Sequence, residues 1–327
     1  MTNLKTTFMG LELKNPVIIG SSGLTDSVEK IIKLEKFGIG AVVLKSLFEE
    51  QILMEMGESG NQNFYDYPEA HDYARYYTKE RSLNDYLNLI KDAKKSVSIP
   101  VIASVNCVSS KEWVSFSKDI ENAGADALEI NVSMLPSDIN HSSTENEKIY
   151  FDIISEVRKN IKIPIALKMS SYSAGLAQLI QKLSWTKNLD AFVLFNRYYS
   201  PDIDINKMKI TSSNIFSSHD EISTSLRWIA LLSNKIKLPL VASTGIHDSE
   251  GVIKQILAGA QAVQVVSTIY KNKEKYITEI INGIENWMNK NNYNSLDDFR
   301  GLLSYEKAKN SASFERVQFM KYYSNHN

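Results

Sequence analysis

Three times in this sequence a proline stands between two aliphatic residues at the head of an apolar run: Ile99-Pro100-Val101, Ile163-Pro164-Ile165 and Leu238-Pro239-Leu240. Proline lacks the N–H that a sheet ladder uses, so within a sheet it is confined largely to the first residue of a strand and to edges. The runs that follow, 101–105, 165–169 and 240–242, are apolar almost throughout. That is the texture of a strand buried on both faces of a parallel sheet. A second phrase, Ala-Gly-Ala at 123–125 and 258–260, with Gly38-Ile39-Gly40 as a looser relative, closes a helical pattern with a glycine able to take positive φ. Strands are expected after each, at 127–130, 262–266 and 41–44, and segments 17–19 and 191–195 bring the total to eight.

Amphipathic helices lie between these strands. In 145–161, for example, Ile149, Ile153, Ile154, Val157 and Ile161 recur at helical spacing on one face. Asp26 with Glu29, Ser109 with Glu112, Thr144 with Glu147 and Ser218 with Glu221 each have the spacing of a capping box. Alternation of strand and helix eight times predicts an α/β fold, a single (β/α)8 TIM barrel spanning 1–327 as one domain. A doubly wound sheet would carry a G-x-G-x-x-G turn after its first strand, and Gly20-Ser21-Ser22-Gly23 lacks that spacing. Long loops are expected after strand 2, at 46–81, and after strand 6, at about 196–218; loops of that size often serve as lids or substrate walls. The first holds Tyr65, Tyr67, Tyr73, Tyr76 and Tyr77 and reads as a folded excursion. A polar and aromatic tail, 295–327, is expected to pack on the barrel exterior as a C-terminal helical extension.

Composition narrows the partners. Lys and Arg total 37 against 38 Asp and Glu, a net charge of −1, so no basic excess exists to neutralise a nucleic-acid backbone. No apolar run approaches the roughly 20 residues of a membrane span. The first ten residues lack the apolar stretch of a secretion signal, and the single cysteine, Cys107, fits a reducing compartment. A cytoplasmic enzyme with a small-molecule substrate is the expectation, and a homodimer stays open. The five histidines are scattered, so a zinc site is not expected.

In such a barrel the active site gathers at the C-terminal mouth, so the first polar residues after each strand are informative. They are Ser21 and Ser22, Lys45 and Ser46, Asn106, Asn131, Lys168, Asn196, then Ser243, Thr244 and Gly245, and finally Ser267 and Thr268. Lys45 and Lys168 follow apolar runs with no carboxylate immediately beside either, and buried cations without an anion are costly. Either acids elsewhere in the fold pair with them or an anionic ligand does. Small residues at the ends of strands 7 and 8 suit a phosphate held by backbone N–H groups. Together these features suggest a phosphate-bearing cofactor whose electron-rich ring crosses the mouth.

The residues resemble the FMN-dependent dihydroorotate dehydrogenase family, most closely a less characterised, dihydroorotate dehydrogenase-like branch. The matching pieces are Asn15-Pro16-Val17 to Gly23, Val42-Val43-Leu44-Lys45-Ser46, Glu129-Ile130-Asn131-Val132-Ser133, Pro164 to Lys168, Thr244-Gly245-Ile246 and 258–265. The resemblance implies an FMN oxidoreductase of pyrimidine biosynthesis acting on the CH–CH bond of dihydroorotate or a related small molecule. It places Ser21, Ser22, Ser46 and Asn106 along the flavin and Lys45 between ring and substrate. It sets Lys168 at the pyrimidine edge of the reduced ring, and Ser243, Thr244, Gly245, Ser267 and Thr268 around the phosphate. Asn131, Asn196 and Arg197 would face the planar substrate. The sequence departs from the family at the general base, whose position falls on Met134, a thioether that cannot remove a proton; Ser133, Tyr198 and Cys107 are the substitutes considered, with Ser133 and Lys45 the assigned catalytic residues. The loop after Lys45 also lacks the family's Met-Gly-Leu-Pro-Asn segment. Two alternatives follow: a Schiff-base lyase or aldolase using Lys168, which requires a neutral amine in a dry pocket, and a flavin-binding protein with reduced catalytic activity.

Overall fold

The computed structural model describes residues 2–48, 83–107, 114–132, 134–198 and 200–315. Its strands, in chain order, are β1 (Thr6–Phe8), β2 (Leu11–Leu13), β3 (Val17–Ile19), β4 (Ala41–Val43), β5 (Leu47–Phe48), β6 (Val101–Cys107), β7 (Ala127–Val132), β8 (Ile165–Met169), β9 (Ala191–Leu194), β10 (Pro201–Asp204), β11 (Lys209–Ser212), β12 (Leu240–Ser243) and β13 (Ala262–Val265). The helices are α1 (Val28–Lys36), α2 (Leu83–Ser96), α3 (Val114–Asn122), α4 (Ser143–Asn160), α5 (Leu176–Trp185), α6 (Ile222–Leu232), α7 (Ser249–Ala258), α8 (Ser267–Asn272), α9 (Tyr276–Lys290) and α10 (Ala312–Glu315). All eight strands expected from the apolar runs form. They run parallel in the order β3, β4, β6, β7, β8, β9, β12, β13, and β13 pairs back onto β3, which closes the barrel.

Strand side chains alternate between faces, and this divides the core in two. Outward residues such as Val17, Ile19, Val42, Leu128, Ile130 and Leu167 pack under the helices in one large cluster. Inward residues form a second cluster: Ile18, Ala41, Val43, Ile102, Ala127, Ala166, Ala191, Val193, Val241 and Ala262. Phe8, Met9 and Leu13, from an N-terminal hairpin, belong to that inner cluster. The hairpin is β1 paired antiparallel to β2, turning at Met9 and Gly10 with positive φ at both. It closes the N-terminal end of the barrel, so the inward positions nearest it, five of them alanine, leave room for a plug.

Several local expectations shift. Helix α4 begins with a true capping box, but on Ser142 and Glu145, two residues before the expected Thr144 and Glu147. Helix α1 starts after Ser27 without a side-chain cap, so Asp26 and Glu29 form no box; Asp26 pairs with Lys30 instead. Only half of the Ser218–Glu221 pair forms, the Ser218 N–H donating to Glu221 Oε1 at 2.8 Å. The Ser109–Glu112 pair and the five tyrosines of the first long loop lie outside the described residues. That loop begins later than expected, because Leu47 and Phe48 rejoin the sheet beside β6. The second long loop is a β10–β11 hairpin, with Ile203 opposite Ile210 and Asp204 opposite Lys209.

Among its described residues, 295–315, the C-terminal extension is helical only in a 3-10 turn at Leu296–Asp298 and in α10. The rest of its described part is turns tied to the barrel by backbone bonds. Gly301 and Leu303 donate to Ile256 and Leu257 of α7, and Tyr305 donates to Ala230 of α6. Leu296 and Phe299 are buried there.

Candidate active site

Following each inward-facing row toward the mouth, the side chains change from apolar to polar. The row is Ala127, Glu129, Asn131 on β7; Ala166, Lys168 on β8; Ile102, Ser104, Asn106 on β6; and Ala262, Gln264 on β13. In-register pairing sets Asn106 beside Asn131, and Asn131 beside Lys168. A polar ring therefore caps an apolar barrel interior at the end where the strands finish.

Two hydrogen-bonded groups make up the ring. In the first, Ser21 Oγ lies 3.0 Å from Ser46 Oγ, which lies 2.8 Å from Ser104 Oγ, and Asn131 Nδ2 donates to both Ser46 and Ser104 at 3.0 and 3.2 Å. Tyr86, fully buried on α2, anchors the group: its hydroxyl accepts from the Ser104 N–H at 2.7 Å and donates to the Ser104 carbonyl at 3.0 Å. In the second, Lys168 Nζ donates to Gln264 Oε1 at 2.8 Å and forms an ion pair with Glu129 at 3.6 Å, while Gln264 Nε2 donates to the other oxygen of Glu129. Lys168 therefore has a carboxylate, the first of the two alternatives that the sequence left open. The carboxylate comes from the neighbouring strand, where sequence adjacency could not reveal it.

Polar atoms facing this ring lack partners. Asn106 Oδ1 and Asn131 Oδ1 are buried at the mouth without a hydrogen bond, while Glu129 Oε1, one inward position below, has no hydrogen bond but faces Lys168. Buried acceptors are nearly always satisfied, so unpaired ones clustered at a barrel mouth point to a ligand with N–H or O–H donors.

The expected phosphate turns take shape around β12 and β13. Thr244 and Gly245 both have positive φ, 78° and 79°, and a Cβ on Gly245 would fall 2.1 Å from the Ile222 nitrogen at the start of α6. Only glycine fits there. The hydroxyls nearby make hydrogen bonds within the protein. Thr244 Oγ1 donates to the Phe195 carbonyl, Thr268 Oγ1 donates to the His247 carbonyl at 2.7 Å, and Ser267 Oγ accepts from the Ser217 N–H at 3.0 Å. A phosphate here could be met by the Ser267 hydroxyl, which still has its proton to donate, and by backbone N–H groups, including those of Ser267 and Thr268, which open α8 and have no intrahelical acceptor. Ser243 is buried at the end of β12, and Ser22 closes its own turn, donating to the Gly20 carbonyl and accepting from the Leu24 N–H.

Behind this region Ser217 Oγ lies 3.0 Å from His247 Nε2, and Lys271 donates to the Ser217 carbonyl at 2.8 Å. Burial, then Lys271 and His219, hold the His247 imidazole below its ordinary range. A cleft of 520 Å³ between the starts of α6 and α7 is lined by His219, Ser223, Asp248 and Lys254 among others, and by Gly245 of the β12 turn.

Residues 3–288 match the protein family described as dihydroorotate dehydrogenase. The chain belongs to that family. Dihydroorotate dehydrogenase B (NAD(+)) catalytic subunits are among its relatives. The one from Thermoplasma volcanium is 24% identical over 323 residues, covering 92% of this chain and 99% of that protein. That from Methanocaldococcus jannaschii is 24% identical, covering 91% and 97%. That from Brachyspira hyodysenteriae is 26% identical, covering 92% and 99%. The chain is thus an oxidoreductase of the dihydroorotate dehydrogenase type, and the lyase alternative is not favoured. The site agrees: Lys168 is tied to a carboxylate and an amide oxygen, whereas a Schiff-base nucleophile needs a free amine.

Against the roles implied by the family, the structure brings Ser21, Ser46, Asn106, Asn131 and Lys168 together at the mouth. Lys45 sits at the end of β4, its N–H 3.4 Å from the Thr25 carbonyl, and Asn196 continues the β8–β9 ladder by donating to the Met169 carbonyl at 2.9 Å. Arg197 has a different task from the substrate contact expected of it. Its guanidinium grips Glu221 at 2.8 Å and the carbonyls of Asn214, Ile215 and Phe216, which fastens the chain between β11 and α6. Ser133 and the Cys107 side chain lie outside what is described. Met134, at the family's base position, packs on the core. Tyr198 Oη is buried without a hydrogen-bond partner, and burial pushes the phenol well above its ordinary range, which keeps it protonated and so unavailable as a base. Among the residues that sequence reasoning missed are Glu129, Gln264, Ser104 and Tyr86.

Proposed function

We propose that this chain binds FMN across the barrel mouth and uses it to oxidise or reduce a CH–CH bond in dihydroorotate or a related small planar molecule. The observation that carries the reading is the polar ring itself. Its unpaired buried acceptors on Asn106 and Asn131, and the lysine paired with Asn131, fit a flavin's N–H edge and the negative charge that its ring takes on when reduced. When bound, FMN supplies the two-electron acceptor chemistry that no side chain here can provide.

The protein's own part is then as follows. Backbone N–H groups at Gly245, Ser267 and Thr268 hold the phosphate. Asn106 and Asn131 accept hydrogen bonds, and the Ser21–Ser46–Ser104 chain keeps the Asn131 amide oriented. Lys168 provides a preorganised cation where negative charge develops, the kind of contribution that is usually the largest single term in such catalysis. Lys45 and Asn196 orient substrate from the flanking strands, and Ser133 is the proposed proton acceptor. The relatives are named catalytic subunits, which supports a second kind of chain as electron-transfer partner and gives the homodimer considered from sequence no support.

Reconstitution tests the reading. Purified protein incubated with FMN should acquire a stoichiometric flavin spectrum that is bleached by a substrate of this class under anaerobic conditions. A folded protein that takes up no FMN refutes it.

A further inference from the structure

The ion pair beneath the mouth is built in an unusual way. Glu129, Lys168 and Gln264 come from three strands, β7, β8 and β13, and meet in one inward-facing layer, with Glu129 and Gln264 2% exposed or less and Lys168 8%. Chemistry fixes the direction of the amide. A carboxylate only accepts and an ammonium only donates, so Gln264 must turn its NH2 to Glu129 and its oxygen to Lys168, as observed. A barrel interior could be filled by apolar side chains at less desolvation cost than by a buried ion pair. The inward positions below this layer are filled that way, by Ala127, Ala166 and Ala262.

Among the described residues, Gln264 and Lys168 are the polar partners of Glu129. One of its oxygens takes the Gln264 N–H, and the other has no hydrogen bond and faces Lys168 at 3.6 Å. The lysine, by contrast, is paired directly across from Asn131, whose own oxygen is unpaired. The trio thus stacks from a sealed carboxylate, through an amide, to a cation at the edge of the ligand-facing ring.

We propose that Glu129 is a positioning residue: acting partly through Gln264, it fixes the Lys168 ammonium at the mouth and cancels part of its charge, and so sets how strongly the site favours negative charge on the bound flavin. The inference rests on the FMN reading above. It makes Glu129 a control on the cofactor's electron affinity without any contact to cofactor or substrate.

The test uses FMN-loaded protein and two readouts other than turnover: the flavin midpoint potential, and the affinity for sulfite, which adds to oxidised flavin more tightly where a site stabilises negative charge. Glu129→Gln removes the buried anion while keeping the shape, so sulfite should bind about tenfold more tightly, a change of ~1.4 kcal/mol, and the potential should rise. Gln264→Glu adds a second carboxylate under Lys168, so both readouts should move the opposite way. A purely structural role predicts no such opposition. Both variants holding FMN with wild-type potential and sulfite affinity overturns the inference, as does loss of FMN from both while the wild type retains it. If Glu129→Gln fails to fold, Gln264→Glu alone decides by the sign of its shift. Failure of the wild type to bind FMN refutes the functional reading instead, and is seen before any variant is made.

Discussion

Replacing Lys168 by Met keeps the length of the side chain and removes its charge, leaving Glu129 buried with Gln264 as its remaining partner. The Glu129 side chain is 1% exposed and that of Lys168 11%, so solvent screens the pair little. Breaking a buried pair by removing one partner costs about 3–5 kcal/mol. With an unfolding entropy of about 2.1 cal/mol/K per residue, a chain of 327 residues loses ~4–7 °C in melting temperature for that cost. Differential scanning calorimetry of the flavin-free protein measures it directly. The double variant Lys168→Met with Glu129→Gln removes the stranded anion and should recover most of the loss. Flavin reduction followed by stopped flow should not recover, since the cation that meets developing charge is absent in both; a deficit of about 10²-fold or more is expected. Equal melting of Lys168→Met and wild type, or a double variant no more stable than the single one, would refute the ion-pair account.

Gly245→Ala places a Cβ within 2.1 Å of the Ile222 nitrogen, so α6 must move and the phosphate turn with it; FMN affinity should fall at least tenfold in fluorescence titration, and unchanged affinity would remove this turn from the site. Dihydroorotate turnover by the wild type should be weak, because a well-positioned base contributes about 10²- to 10⁴-fold and Met134 stands at the position the family resemblance gives it, leaving Ser133 one residue away as the substitute acceptor; Met134→Cys should raise single-turnover reduction without changing orotate affinity, and fast wild-type turnover that survives Ser133→Ala would show the base misplaced. His247 is held neutral by burial first, then by Lys271 and His219, so the unfolded chain binds more protons than the folded one just below the ordinary histidine range. Its contribution to stability is complete above that range and is lost as pH falls through it. His247→Gln should flatten that limb of a urea-denaturation series between pH 7 and 5, and an unaltered slope would count against it.

Every barrel strand was legible because a strand buried on both faces must be apolar, and the prolines and glycines at its ends have backbone reasons to be there. The polar ring was legible only at its rim. Reading the first polar residue after each strand finds Asn106, Asn131 and Lys168, but Glu129, Ser104 and Gln264 lie inside apolar runs, one alternation back. Counting by two from Asn131 along Ala127-Leu128-Glu129-Ile130-Asn131 would have exposed them, since a carboxylate in the middle of a doubly buried strand has to point inward to a partner. Arg197 is the opposite case: an arginine just past a strand end shows no partner in the sequence, and its grip on the chain between β11 and α6 appears only in the fold. The N-terminal hairpin escaped notice because its turn uses Met9 at positive φ, where asparagine or aspartate is the usual signal.

That hairpin also sets the order in which the molecule can be finished. Phe8, Met9 and Leu13 precede all eight barrel strands in the chain, yet the inner cluster they share includes Ala127, Ala166, Ala191 and Ala262, the last more than two hundred residues downstream. Until synthesis has passed β13 the plug has no complete socket, and three large apolar side chains wait on a growing chain. Contacts so distant in sequence form slowly, and exposed apolar surface on unfinished chains is what aggregation feeds on. The protein's slowest vulnerability therefore lies at the sealed floor of the barrel, opposite the end where its chemistry takes place.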